Sequence, residues 1–341
     1  MLYFSSDYQE GAHPQLLENL MKTNMVQTPG YGTDDFCESA RDKIRKSCQC
    51  PDAAVHFISG GTQTNAIVID GMLRPWECAL CADTGHINGH EAGAVEAWGH
   101  KIITLPHTLG KISPAQVEAY AATFYKDQNN AHMTAPGLVY ISHPTEYGTL
   151  YSKEELVGLR AVCDRYGMRL FLDGARLGYG LCARDTDVTL PLLAKVCDAF
   201  YIGGTKCGAL LGEAVVFPRP DTAPHFFTIV KQHGALLAKG RIAGIQFDTL
   251  FTDGLYDAIG KSAVEAADRI RAALDEKGYS QPFVAPTNQV FVALDPEKAE
   301  ALSQRVEMGF WENLADGRVV MRLATSWATT DEDVDALIEA L

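Results

Sequence analysis

LFLDGARLGYG (residues 170–180) opens as a buried strand and closes on an acid, Asp173, with Arg176 three positions later. A carboxylate at the mouth of a core strand is costly unless a positive group or several donors meet it. Its partner is either Arg176 or something that the chain does not encode. Upstream, residues 138–142 (LVYIS) read as another strand. Ser152 and Glu155 then have the S-x-x-E form of a capping box, and Leu156, Leu159, Cys163 and Tyr166 recur at helical spacing. Gly167 is placed to stop that helix. Asp173 therefore stands at the carboxyl end of a strand reached through a crossover helix. In open parallel sheets, that edge is where ligands bind.

The same alternation extends outward. Apolar runs at 55–58, 79–82, 199–203 and 214–217 are separated by amphipathic helical patterns. They predict an α/β domain with a mostly parallel sheet over residues 1–250. After about residue 250 a long helix starting near Leu255 precedes two apolar runs, 289–294 and 318–324, and a last helix after Thr330. These predict a smaller α/β domain over 251–341, to which the N-terminal segment 1–25 contributes. A chain of 341 residues suits one large and one small domain.

The formal net charge of −14 argues against a nucleic-acid partner, which needs a basic face to displace counterions. The N-terminus lacks a secretory pattern, and no apolar run is long enough to span a bilayer. A cytoplasmic protein with no membrane partner is expected, its nine cysteines present as thiols. Cys48/Cys50 and Cys78/Cys81 are closely spaced pairs, the second with the spacing of a zinc half-site. No second half-site follows, so no metal is expected and the cysteines read as small packed hydrophobes.

Three elements carry chemistry. Ser59-Gly60-Gly61-Thr62-Gln63-Thr64-Asn65 follows a strand and opens a helix, so its free amides and hydroxyls can cradle a phosphate. It lacks a Walker lysine, and there is no G-x-G-x-x-G. Lys206 lies between two buried strands, flanked by Gly203, Gly204 and Gly208. A lysine in an apolar site has a lowered pKa and can form a Schiff base with a carbonyl. If Lys206 holds an aldehyde cofactor, Asp173 has a use: a carboxylate can keep the pyridine nitrogen of pyridoxal phosphate protonated. Arg176 is then free to bind a substrate carboxylate bidentately.

With these residues in this order, the chain resembles the L-threonine aldolase and β-eliminating lyase group of fold-type-I pyridoxal-phosphate enzymes. LDGAR at 172–176 resembles the family's aspartate-arginine motif, and GGTK at 203–206 its Schiff-base lysine segment. His86-Ile87, with Glu91, Gly93 and Ala94, resembles a stretch whose histidine stacks on the cofactor ring. Gly60, Gly61 and Thr62 fit the phosphate loop, although Gly60 replaces a usual serine. Tyr31-Gly32 resembles a turn near the dimer interface that contributes to substrate binding. By the same resemblance Ser6 contacts the substrate carboxylate, Arg322 shares that task with Arg176, and Arg241 reaches the cofactor phosphate of a neighbouring subunit. Lys239 is an alternative for the last role. The segment after residue 142 departs from the commoner pattern: Glu146 stands where many relatives carry a histidine, and His143 is displaced by three residues. This T-E-x-G-T form resembles the phenylserine-aldolase-like branch.

The resemblance implies a pyridoxal-phosphate-dependent lyase that cleaves β-hydroxy-α-amino acids to glycine and an aldehyde. Lys206 carries the cofactor, and His86 or Glu146 takes the hydroxyl proton. It also implies a homodimer or homotetramer with shared active sites. A β-eliminating lyase or an amino-acid racemase would keep the cofactor and change the bond broken. A non-catalytic pyridoxal-phosphate-binding protein is the reading from another class.

Overall fold

The computed structural model describes residues 1–341. The first strand, β1 (Leu2–Tyr3), belongs to the C-terminal part of the molecule. The next seven are β2 (Ala54–Ile58), β3 (Glu77–Ala82), β4 (Lys101–Leu105), β5 (Ala135–Ser142), β6 (Arg169–Asp173), β7 (Ala199–Gly203) and β8 (Glu213–Phe217). They form one sheet in the order β2-β8-β7-β6-β5-β3-β4. Every strand but β8 points the same way, so the sheet is mostly parallel, as the alternating pattern predicts. β8 runs antiparallel to both β7 and β2 because residues 204–212 are too few for a crossover, which needs a dozen or more. This reversal is not legible from the apolar run at 214–217. It sets the start of β8, Glu213, at the same edge as the ends of its neighbours.

The sheet is buried on both faces. Leu80, Val139, Ile141, Leu170, Leu172, Phe200 and Ile202 face one core. Ala79, Leu138, Tyr140, Phe171, Ala199 and Tyr201 alternate with them toward the other. Covered faces explain why these strands read as continuous apolar runs. Cys78 and Cys81 divide between the two cores as packed side chains. The crossover helix Lys153–Tyr166 begins on a reciprocal capping box of Ser152 and Glu155 and ends at Gly167 with φ 69°. β6 and β7 then approach closely at their carboxyl ends. A Cβ on Gly174 would lie 1.9 Å from the Tyr201 carbonyl, and one on Gly203 would lie 2.3 Å from the Ala175 carbonyl. The glycines of LDGAR and GGTK are therefore required by backbone packing that draws Asp173 and Lys206 toward one place.

The remaining strands are β9 (Gln289–Leu294), β10 (Val306–Glu307), β11 (Gly309–Asn313) and β12 (Val319–Ala324). β11, β12 and β9 form an antiparallel sheet, and β10 pairs with β1. Phe4 joins the core of this sheet, whereas Leu16 belongs to the core of the large one. The helix Leu255–Glu276 serves both. Tyr256, Ile259 and Ala263 pack into the large core, and Ala267, Ile270 and Leu274 into the small one.

One buried residue couples this packing to pH. His143 is fully buried, accepts a hydrogen bond from the Tyr151 amide at Nδ1, and has no partner at Nε2. Burial pushes its pKa down to about 4. Its folded value is depressed, so its contribution is complete above the unfolded value near 6.5 and is lost as pH falls toward 4. The loss amounts to about 3 kcal/mol. Urea unfolding at pH 7 and pH 5 should show about 2 kcal/mol of it, with a smaller difference between the two pH values in His143→Gln than in the parent chain.

Candidate active site

Strand ends build the site. Gly61 and Thr62 follow β2, His86 follows β3, Glu146 follows β5, Asp173 ends β6, and Lys206 follows β7. All six line one cavity of about 310 Å³. A chamber of about 610 Å³ shares Tyr8, His86, Glu146, Arg176 and Lys206 with it and adds Arg322, Tyr147 and Trp311.

Asp173 and Arg176 do not bond to each other. Asp173 is buried and accepts from Tyr201 Oη (2.5 Å), Tyr140 Oη (2.6 Å), Asn65 Nδ2 (2.9 Å) and the Ala175 amide (2.9 Å). Burial alone would raise its pKa. The charge that nearby His86 carries when protonated, together with these hydrogen bonds, overcomes that and holds the carboxyl below its usual range. An anion is thus maintained where no lysine or arginine of the chain pairs with it.

Lys206 is half-buried, and its pKa is lowered by burial and by the charge of Arg176. That favours the neutral amine a carbonyl requires. Glu213 lies in the same wall, accepts from the Gly204 amide at 3.2 Å, and is pushed up to about 8 by burial. His86 Nδ1 lies 2.6 Å from Glu91 Oε1, which also accepts from Asn65 at 2.7 Å. This fixes the ring and leaves Nε2 without a protein partner. Glu146 Oε1 accepts from Ser142 Oγ at 2.6 Å and from the His86 amide at 2.9 Å. Burial raises its pKa.

The two expected carboxylate ligands differ. Arg176 donates from Nε to Asp7 Oδ2 at 2.7 Å and from Nη2 to Asp7 Oδ1 at 3.0 Å, so its charge is already paired. Arg322 donates to the Ser5 carbonyl (2.8 Å) and to Gln289 Oε1 (3.3 Å). Its Nε is buried without a partner, and no acid lies within 4.0 Å. Burial and the neighbouring Arg176 charge lower its pKa. An unpaired, partly buried guanidinium at a chamber wall calls for an anion.

Not every expected residue meets at this cavity. Ser6 does not line it; Tyr8 does, with Lys206 Nζ 6.0 Å from its ring centroid. The N-terminal segment crosses here with Asp7 bonded to Arg176. Gly60 caps the helix Gly61–Met72 without lining the cavity. Tyr31 and Arg241 lie elsewhere. Arg241 donates to the Val26 carbonyl and, at 2.6 Å, to the Thr23 carbonyl. Tyr31 has φ 62° and Lys231 over its ring. Tyr8, Tyr140, Tyr201 and Glu213 carry no sequence signal as site residues, and Asp7 is marked in the sequence only as the second residue of the Ser6-Asp7 start that resembles the family's. Tyr140 and Tyr201 sit inside the apolar runs of β5 and β7, and Tyr8 lies in the polar segment that follows Phe4.

The donor set suits pyridoxal phosphate. The first-turn amides of the helix Gly61–Met72 have no intrahelical partner and, with the Thr62 and Thr205 hydroxyls, would hold its phosphate. Lys206 would hold its aldehyde carbon and Asp173 its ring nitrogen.

Residues 4–297 match the beta-eliminating lyase family. The chain is 30% identical over 340 residues to the low specificity L-threonine aldolase of Pseudomonas aeruginosa, covering 98% of this chain and 95% of that protein. It superposes on a threonine aldolase of Leishmania major with a TM-score of 0.96 and 41% identity, over 99% of this chain and 98% of that one. An aspartate aminotransferase of Thermus thermophilus matches the fold with a TM-score of 0.71 at 14% identity, over 100% of this chain and 90% of that one.

Proposed function

The chain belongs to the beta-eliminating lyase family, and from that premise we propose that the cavity around Lys206 is where it cleaves β-hydroxy-α-amino acids to glycine and an aldehyde. The fold is that of the fold-type-I pyridoxal-phosphate enzymes, and the protein is a pyridoxal-phosphate-dependent aldehyde-lyase. The observation that carries the assignment of residues is the meeting of Lys206, Asp173, His86 and Glu146 at one cavity beside an unpaired Arg322.

Bound there, pyridoxal phosphate supplies the sink for the electron pair released when the Cα–Cβ bond breaks. Asp173 keeps a proton on the ring nitrogen, and the Tyr140 and Tyr201 hydroxyls keep Asp173 ionised and fixed. Arg322 and Arg176 hold the substrate carboxylate, which sets the angle of the scissile bond. His86 Nε2 takes the proton from the β-hydroxyl, with Glu91 orienting the ring through Nδ1. Glu146 holds the His86 amide and keeps the histidine at the junction of cavity and chamber. The chamber receives the β-substituent.

His86→Asn should lower kcat/KM on threonine and phenylserine by roughly 10²–10³-fold, and Glu146→Gln by about tenfold. The opposite ranking would make Glu146 the base. A panel of threonine, allo-threonine, phenylserine and a β-chloro amino acid ranks the substrates; pyruvate and ammonia as the dominant products would make β-elimination the main reaction.

Tyr31 and Arg241 lie away from their own cavity, which supports a homo-oligomer in which they serve a neighbour. Light scattering at the 37.1 kDa of one chain would refute it. Nine free cysteines support a cytoplasmic location, testable by fractionation. No helix is long and apolar enough to cross a membrane.

A further inference from the structure

Asp7 is completely buried in the wall behind Arg176, and no step above uses it. Its two oxygens meet Nε and Nη2 of Arg176 in a bidentate pair. Oδ2 also accepts from Asn288 Nδ2 at 2.9 Å, and Asn288 donates its other proton to the Thr325 carbonyl at 2.8 Å. The segment leading to Asp7 is itself tied to the small sheet: the Ala324 amide donates to the Phe4 carbonyl at 2.7 Å, and Arg322 to the Ser5 carbonyl. Asp7 is therefore fixed from the side of the small sheet and grips an arginine of the large one.

This arrangement divides the work of the two guanidiniums. Arg322 has no acid and offers charge. Arg176 is neutralised by Asp7, whose carboxyl is drawn down to about 2 against the rise that burial would cause. What Arg176 retains is direction. With Nε and Nη2 engaged, the plane of the guanidinium is set and Nη1 is left without a protein partner. A lone arginine on its flexible stem would have no such fixed plane.

We propose that Asp7 is a positioning residue: it sets the plane of the Arg176 guanidinium, and through it the orientation of the substrate carboxylate that decides which bond at Cα is broken. This rests on the reading of Arg176 as a ligand of the substrate carboxylate.

The test uses the holoenzyme and glycine in deuterium oxide, with proton NMR following exchange of the two α-hydrogens separately. The parent chain should exchange one in preference to the other. Asp7→Asn should lower that preference about tenfold and kcat on threonine about tenfold, with KM changed by less than about threefold. Asn288→Ala, which removes the second hold on Asp7, should move both in the same direction by less. It decides the matter if Asp7→Asn does not accumulate folded. Unchanged preference, or a rise in KM at constant kcat, overturns the proposal. Arg176→Lys separates the two levels. If it leaves glycine affinity and exchange preference as they were, the carboxylate reading of Arg176 fails. If it changes them and Asp7→Asn does not, only the role of Asp7 fails.

Discussion

Lys206→Ala is expected to reduce turnover of threonine by roughly five orders of magnitude, to the limit of detection. The reason is positional. Lys206 is the lysine that lines the cavity at the sheet edge, and burial above all lowers the pKa of its amine. With alanine there, the cofactor keeps its phosphate and ring contacts and loses its covalent hold. Two further readouts distinguish this from misfolding. Borohydride reduction of the parent holoenzyme should leave a mass adduct on the peptide containing Lys206 and none in the variant. Added methylamine should restore a measurable part of the rate, since it replaces the missing amine and not the missing side-chain packing.

Asp173→Asn should rank second. Asparagine has nearly the same shape, but it replaces the anion with an amide whose NH₂ would face donors. Tyr140 and Asn65 both donate to Oδ2, and Tyr201 and the Ala175 amide to Oδ1, so either orientation of the amide loses two of the four bonds. More important, the ring nitrogen loses a buried ionic partner. Breaking such a pair costs about 3–5 kcal/mol, which corresponds to a loss of kcat between about a hundred- and a few-thousandfold. Unlike Lys206→Ala, this variant should still form the borohydride-stable adduct, and the absorbance of its bound cofactor should shift. A full rate with an unshifted spectrum would remove Asp173 from the proposed role.

What could be read from the chain, and what could not, follows from the range of the forces involved. Asp173, Lys206 and the loop at Gly61–Thr62 stand out because each is an anomaly at the end of an apolar run, and strand ends on a parallel sheet converge. The capping box at Ser152–Glu155 is local and reads directly. The partner of Arg176 is different: Asp7 is 169 positions away, and a hydrogen bond between distant side chains leaves no periodic trace. Tyr140 and Tyr201 look like core residues because they are core residues, with only their hydroxyls turned to Asp173. The resemblance implies Ser6 at the carboxylate site; of this segment Tyr8 lines the cavity, and Asp7 lies behind Arg176 and holds it. The reversed β8, and with it Glu213, depended on the length of a connection that the strand's own composition does not encode.

At this site the Cα–Cβ bond of a β-hydroxy amino acid is the one expected to break. Uniformly ¹³C-labelled threonine, incubated with the holoenzyme and followed by NMR, tests it most directly. Labelled glycine and labelled acetaldehyde should form in equal amounts, with neither formed by Lys206→Ala. Labelled 2-oxobutanoate accompanied by ammonia would contradict it.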